Sequence, residues 1–558
     1  MPSKSCLGLH WSLHSLVLEN YKLGKKTSGV SSMTQSRKAN ATRNIVWGIG
    51  GKIVTLLMPF ITRTVLIYTI GIQYAGLHSL FTSVLSVLSL AELGVGNALV
   101  FAMYKPIAEH DTDKVCALLS LYRKCYLVIG CAILIIGLCM LPFLGDLITG
   151  ETPDAVDVRV LFLIYLANSS ISYFMFAYKQ SLFIANQRVD AISKLTAISS
   201  LVSCLLQVGA LTLFANYYLY AIVLPVITLA NNLAIGYLSK KAYPDFVCRG
   251  SLMKSELRSI EKNVAGLVFV KVGSVVLSVS DTLVISAFLG LWTLGVYNGY
   301  SIVITAVAGL IGVIQGALIP TIGNKIAMDS KKDCLHAFGI LNFLYMWLAI
   351  VAFSCLAGLL QPFVSIWQGA ENTLAVGIPL LLSLCFLVQR SGEMSWMFRE
   401  AAGLWWEGKY LPFMSSVINL ALSLVLVNFI GIYGVIIATV IALFVVNLPM
   451  GARILFKHYF DSNKDCCRYL ASTLGYLAFG CVVGAVSFAA CEALSFAGVP
   501  GLLVRLTVCL LVSNAALFLA FCRSRLFGRA MTFISGVVPH RIRESSIGLK
   551  LFGAGRER

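Results

Sequence analysis

Fourteen apolar runs, most of them 20 residues or longer, follow one another from about residue 44 to residue 522. As a helix, a run of roughly 20 residues crosses a hydrocarbon core about 30 Å thick. Backbone N–H and C=O groups find no water there, so each crossing must close its own hydrogen bonds. The chain has 558 residues, 58% of them hydrophobic and only 12% charged. Soluble domains carry about 25% charged residues, and a soluble fold of this composition would lack the polar surface to cover its cores. The sequence therefore predicts an all-α polytopic membrane protein.

The charge balance fixes which way the crossings run. The net charge is +18, which on its own would suggest a nucleic-acid partner. When the runs are threaded alternately, however, 37 of the 43 Lys and Arg fall on the side of the N-terminus. The opposite loops hold one, Arg159, and five lie within runs. This asymmetry predicts both termini in the cytoplasm and makes the basic excess a topology signal rather than a nucleic-acid footprint. It also suits anionic lipid headgroups. The 16 cysteines are scattered, mostly inside apolar runs, without CxxC or zinc spacing, so no metal site is expected. Residues 1–43 lack the apolar core and cleavage site of a signal peptide and read as a cytoplasmic tail. Met33 resembles a natural start, which makes 1–32 an expected upstream extension.

The chain also repeats itself. Asn44, Lys52, Gly71 and Gly76 recur as Asn263, Lys271, Gly290 and Gly295, at a constant offset of 219 residues. Six crossings separate the copies, and an even number restores the same direction, so the repeats are parallel. The expected organisation is a six-helix lobe over 44–239, a cytoplasmic linker over 240–262 and a second six-helix lobe over 263–455. Two additional helices would follow over 456–522, and then a basic cytoplasmic tail over 523–558. Within the linker, a short amphipathic helix is expected from Ser251 onward.

Charges inside apolar runs are costly and usually functional. Lys52 and Lys271 occupy matching depths in the two copies, either facing a central cavity that draws in an anion or snorkelling to the headgroups. Arg63 follows Lys52 by eleven residues, close to three full turns, and so shares its face. Its forked guanidinium would suit phosphate; the alternative is an anchor at the interface. The second copy breaks the symmetry: Thr282 aligns with Arg63, and Asp281 stands beside it. Asp281 could pair with Lys271, bind a coupling cation or carry a proton. Glu92 could balance Lys52 or Arg63, or carry a proton itself. Arg390 and Glu393, at i and i+3, are expected to satisfy each other structurally. No Ser/His/Asp set and no phosphate-cradling GxxxxGK[ST] is present. Any work done across the membrane would therefore draw on an ion gradient, proton or sodium, or on the membrane potential rather than on ATP, and no cofactor is expected.

The run ITRTVLIYTIGIQYAGLHSLFTSVLSVLSLAELGVGNALVFAMYKPIAEHDTDKV, Ile61 to Val115, resembles the amino-terminal region of bacterial polysaccharide-biosynthesis membrane proteins. These are oligosaccharide-repeat-unit flippases of the Wzx type. The run SVSDTLVISAFLGLWTLGVYNGY, Ser278 to Tyr300, is similar to their seventh crossing. The family falls in the multidrug/oligosaccharidyl-lipid/polysaccharide exporter superfamily. The resemblance implies two six-helix lobes around a central, often cationic cavity, plus two further helices. It also implies a plasma-membrane protein moving oligosaccharide on undecaprenyl pyrophosphate to the outer leaflet, alongside glycosyltransferases and a polymerase. A lipid II flippase or a multidrug/cation antiporter of the same superfamily is the alternative.

Overall fold

The computed structural model describes residues 37–537 other than 90, 91, 151, 154 and 495. It describes only the backbone of 37–49, 93, 94, 97, 254–256, 258–271 and 534–537. The expected extension 1–32 and the end of the basic tail lie outside the described residues, as does the side chain of Lys271.

No strand occurs among the described residues. The first half comprises α1 (Arg37–Ile70), α2 (Ile72–Leu88), α3 (Glu92–Ala108), α4 (Thr112–Met140), α5 (Val158–Phe174), α6 (Gln180–Ala185), α7 (Val189–Phe214) and α8 (Tyr217–Ala242). The second half begins with α9 (Lys254–Met328), a hairpin of two arms folded at Gly290, followed by α10 (Lys331–Gln368), α11 (Gly377–Ser391) and α12 (Glu393–Ala401). It continues through α13 (Trp405–Gly408), α14 (Leu411–Ile430), α15 (Ile432–Ile441) and α16 (Leu448–Leu455). Then come α17 (Asn463–Glu492), α18 (Gly498–Phe521) and the amphipathic α19 (Arg525–Val537).

Ten of these helices are long and apolar enough to cross a membrane, or eleven if α5 and α6, bent by 51°, make one crossing. Folding α9 back at Gly290 and joining α2 to α3 and α11 to α12 makes the arrangement compatible with fourteen crossings. The chain is a multi-span membrane protein. The helix expected from Ser251 is not a separate element: helix starts at Lys254 and runs unbroken into the first arm of α9. The connection ahead of it docks on the first half, where Arg249 meets Asp113 at 2.9 Å.

Short polar caps turn the chain between crossings by accepting the orphan N–H groups of the next helix. Asp111 accepts from Lys114 N, Asn216 from Tyr218 N and Leu219 N, and Ser330 from Asp333 N. The loops at 109–111, 186–188, 243–253 and 329–330 share one face of the bundle, here the near face, with the start of α1. Residues 71, 141–157, 215–216, 290 and 369–376 turn at the opposite, far face.

The repeat is visible as geometry. Gly71 and Gly290 both take positive φ, 108° and 82°, where a side chain would be strained, and each breaks a helix into a hairpin. A Cβ on Gly76 would meet Leu291 O at 2.2 Å, and one on Gly295 would meet Ile72 O at 2.5 Å. Residues 72 and 291 are themselves 219 apart, so the two halves meet through one contact made twice. Within the halves, α1 packs on α7 as the first arm of α9 packs on α14. The breaks between α5 and α6 and between α11 and α12 also hold equivalent places. One apolar cluster runs through both halves. A second, including Ile350, Phe353, Leu387, Leu477 and Leu517, seats α17 and α18 against α10 and α11.

Candidate functional site

A cavity of about 900 Å³ opens among α1, α2, α3, α5, α7 and α8, with the second arm of α9 closing one side. Its wall is predominantly neutral and polar. The charged residues that line it are Arg63 and Glu92. Lys52 is not part of the described lining, which suits the snorkelling alternative for that residue, and the side chain of Lys271 lies outside the described residues.

Arg63 is buried, with 6% of its surface exposed. A guanidinium removed from water is tolerated only when its N–H groups are bonded. Here Nη1 donates to Asn298 Oδ1 at 2.9 Å and Nη2 donates to the carbonyl of Gly295. Both acceptors belong to the second half, so this cation bridges the two. Nε is buried and bonds to no described group.

Glu92 accepts from Tyr126 Oη at 2.6 Å and from the hydroxyl of Tyr173. Tyr122 Oη extends the chain to Tyr126 Oη at 3.2 Å. The expected pairing of Glu92 with Lys52 or Arg63 gives way to tyrosine hydroxyls, which satisfy a carboxylate without a second charge. His78, overlooked in the sequence, also lines the cavity. Its Nδ1 lies 2.7 Å from Tyr165 Oη, which lies 3.2 Å from Tyr217 Oη.

Among the described residues, every hydrogen bond between the halves lies toward the far face. Besides those of Arg63, Trp367 Nε1 donates to Thr64 Oγ1 at 2.6 Å and Tyr68 Oη to Trp367 O at 3.3 Å. Thr149 N donates to Ser286 O at 3.1 Å, and Ser286 Oγ to Leu147 O at 2.7 Å. The described hydrogen bonds between the halves thus clasp the far end.

Asp281 sits apart from the cavity, in a knot within the second half. Thr439 Oγ1 lies 3.1 and 3.2 Å from its two carboxylate oxygens, and Tyr297 Oη donates to it at 3.1 Å. Asn419 Nδ2 donates to Thr439 at 2.7 Å, and Ser280 Oγ to Asn419 Oδ1 at 2.6 Å. Arg390 and Glu393 meet at 3.2 Å, and Gln315 Nε2 donates to Glu393 at 2.8 Å.

A profile of the family described as polysaccharide biosynthesis protein matches residues 41–325, through the first half and α9. The chain belongs to this family. No curated protein matches it. Among solved structures, the lipid II flippase MurJ in an inward closed conformation is similar at 14% identity and a TM-score of 0.59. That match covers 86% of this chain and 99% of MurJ. An inward-facing multidrug-resistance MATE transporter of the MOP superfamily is similar at 13% identity and a TM-score of 0.56, over 74% of this chain and 95% of that one. The MATE transporter VcmN of Vibrio cholerae follows at 14% and 0.51, over 76% and 98%. At such identities the likeness is one of fold.

Against that fold, the sequence-predicted residues divide. Arg63 and Glu92 come together in the cavity. Lys52 shares a helix with Arg63 but is exposed; eleven residues at 1.5 Å each leave it about 16 Å nearer the near face. Asp281 and the Arg390–Glu393 pair lie elsewhere, in the second half. The sequence reading missed the neutral wall, whose signal was present as Asn168-Ser169-Ser170, Asn231-Asn232 and Ser199/Ser203 inside otherwise apolar helices.

Proposed function

We propose that the protein is a flippase moving undecaprenyl-pyrophosphate-linked oligosaccharide repeat units from the inner to the outer leaflet of the bacterial plasma membrane for surface polysaccharide synthesis. It works by alternating access, as a transporter rather than an enzyme. One observation carries this reading: the arginine that lines the polar cavity is also a clasp between the halves. Phosphate oxygens are stronger acceptors for a guanidinium than an amide or peptide oxygen, because both partners are charged. A pyrophosphate entering the cavity competes with Asn298 and Gly295 for Arg63, and its capture loosens the far end.

The excess of Lys and Arg on the near-face loops makes that face cytoplasmic. The clasped state is then closed to the outside. Lys52 and Lys271 would draw the headgroup toward the near-face entrance, the polyprenyl tail would stay in lipid, and the sugars would occupy the neutral wall. Glycosyltransferases supply such a cargo and a polymerase consumes it. Asp281 and Glu92 are the candidates to couple the cycle to a proton or sodium gradient. Lipid II presents the same phosphates and belongs in any substrate panel. A cation-expelling antiporter would want a net acidic cavity, and this lining is balanced.

The test is flipping of fluorescent undecaprenyl-pyrophosphate oligosaccharide and of lipid II in liposomes carrying the purified full chain. Wild-type protein should flip the oligosaccharide-bearing lipid, and Arg63→Ala should not. Equal flipping by the variant would sink the role of Arg63. Transport of lipid II alone would move the assignment to the alternative.

A further inference from the structure

The cavity wall formed by α5, α7 and α8 carries side-chain amides and hydroxyls bonded to one another. Thr228 Oγ1 donates to Asn168 Oδ1 at 2.6 Å, Asn232 Nδ2 to Ser172 Oγ at 3.2 Å and Ser199 Oγ to Asn231 Oδ1 at 3.1 Å. These three bonds tie α5 and α7 to α8, and they set which end of each amide is used. For Asn168 and Asn231 the used end is the oxygen. Their NH₂ groups donate to no described residue, and both residues line the cavity. Ser200 and Ser203 of α7 line the same wall. Polar groups on apolar helices cost free energy unless something bonds them. A wall of oriented amide donors and hydroxyls matches the hydroxyl, ring and acetamido oxygens of a sugar.

The charges nearby decide what kind of sugar. Glu92 is held by the hydroxyl of Tyr173, and Tyr173 adjoins Ser172 in the wall. A carboxylated sugar seated there would bring a second negative charge toward Glu92. Arg63 is the only Lys or Arg in the described lining, and its Nη1 and Nη2 already donate to Asn298 and Gly295. Like charges in a partly buried site repel strongly.

We propose that the wall formed by α5, α7 and α8 is a glycan subsite selecting an uncharged sugar over an acidic one. The proposal rests on the flippase reading only in placing this sugar beside the lipid phosphates.

Binding to the full chain in lipid nanodiscs tests it with three probes. The first is a neutral trisaccharide without lipid or phosphate. The second is the same trisaccharide with one hexose replaced by a hexuronate, and the third is sugar-free undecaprenyl pyrophosphate. The neutral probe should bind about tenfold more tightly than the acidic one. The double variant Asn168→Leu/Asn231→Leu should weaken the neutral probe about tenfold, as loss of two hydrogen bonds would, and leave the sugar-free lipid unchanged. Because that variant also removes two ties between helices, Ser200→Ala/Ser203→Ala serves as a second test, with an expected loss of about threefold. Equal or tighter binding of the uronate, or wild-type binding of the neutral probe by both variants, overturns the subsite. Failure of the flippase reading looks different: the sugar-free lipid does not bind and nothing is translocated, while the neutral trisaccharide still binds and the variants still weaken it.

Discussion

The two halves share a framework but use their polar residues in opposite ways. In the first, hydroxyls and amides line a cavity of about 900 Å³. In the second, Asp281, Thr439, Asn419, Ser280 and Tyr297 bond to one another, and Gln315 joins Glu393. One half turns many of its polar groups toward a cavity, and the other gathers several of its own into a knot around Asp281. A duplicated fold thus provides a binding lobe and a bracing lobe, joined where Gly76 and Gly295 meet the backbone of the opposite half. Arg63 belongs to both functions. The position that aligns with it, Thr282, carries no charge.

The sharpest way to break this division is at Arg63. Arg63→Ala leaves the acceptors of Asn298 and Gly295 without their cation. Truncating one side of a buried charge-assisted pair costs about 2–5 kcal/mol, so flipping should fall at least about 30-fold. Spin labels across the far face should report wider separations in the same variant. Arg63→Lys keeps the charge but loses the fork and should recover only part of the activity. Unchanged label distances in Arg63→Ala would show that the glycine contacts alone hold the far end closed.

Those contacts come next in size. Gly76→Ala and Gly295→Ala each place a methyl against a peptide oxygen that cannot move aside without its helix. Overpacking of this kind costs about 1–3 kcal/mol and should shift the halves toward opening by about tenfold. Because one contact is made twice, the two variants should behave alike in label distances and in flipping. A large difference between them would mean that the axis relating the halves does not pass through this contact.

Much of this framework was legible in the sequence. Runs of about 20 apolar residues read directly as crossings, because a membrane leaves the backbone no other choice. Gly71, Gly76, Gly290 and Gly295 stood out because hairpin breaks and backbone contacts admit no side chain there. Arg63, Glu92, Asp281 and the Arg390–Glu393 pair were noticed because charge is rare in such runs. The neutral wall was harder to read. A serine or threonine within a helix commonly bonds the carbonyl one turn back, as Thr62 and Ser79 do here. Such residues look alike in sequence whether they face themselves or a cavity, and only the packing of α5, α7 and α8 makes Asn168, Asn231 and Ser200 converge. Lys52 illustrates a related limit, since a shared helical face fixes direction but not surroundings.

A smaller effect separates bracing from binding. Thr439→Val removes the donor that reaches both oxygens of Asp281, and one lost hydrogen bond costs about 1 kcal/mol. For a chain this size the apparent melting temperature should fall by about 1 °C. Ser200→Ala removes a hydroxyl from the cavity wall and should leave the melting temperature unchanged while weakening cargo binding. The reverse pattern would assign the bracing to the first half.

The smallest expected effect belongs to Lys52. It is exposed and lies outside the cavity lining, so its pull on a phosphate acts through solvent and over distance. Such steering changes the rate of encounter more than the strength of the final grip. Lys52→Ala should slow flipping about twofold at low ionic strength and not at all near 0.5 M salt, where screening reduces the reach of a charge to a few ångströms. A deficit that persists at high salt would instead place the Lys52 ammonium against the cargo. The cationic entrance would then have to be counted as part of the binding lobe.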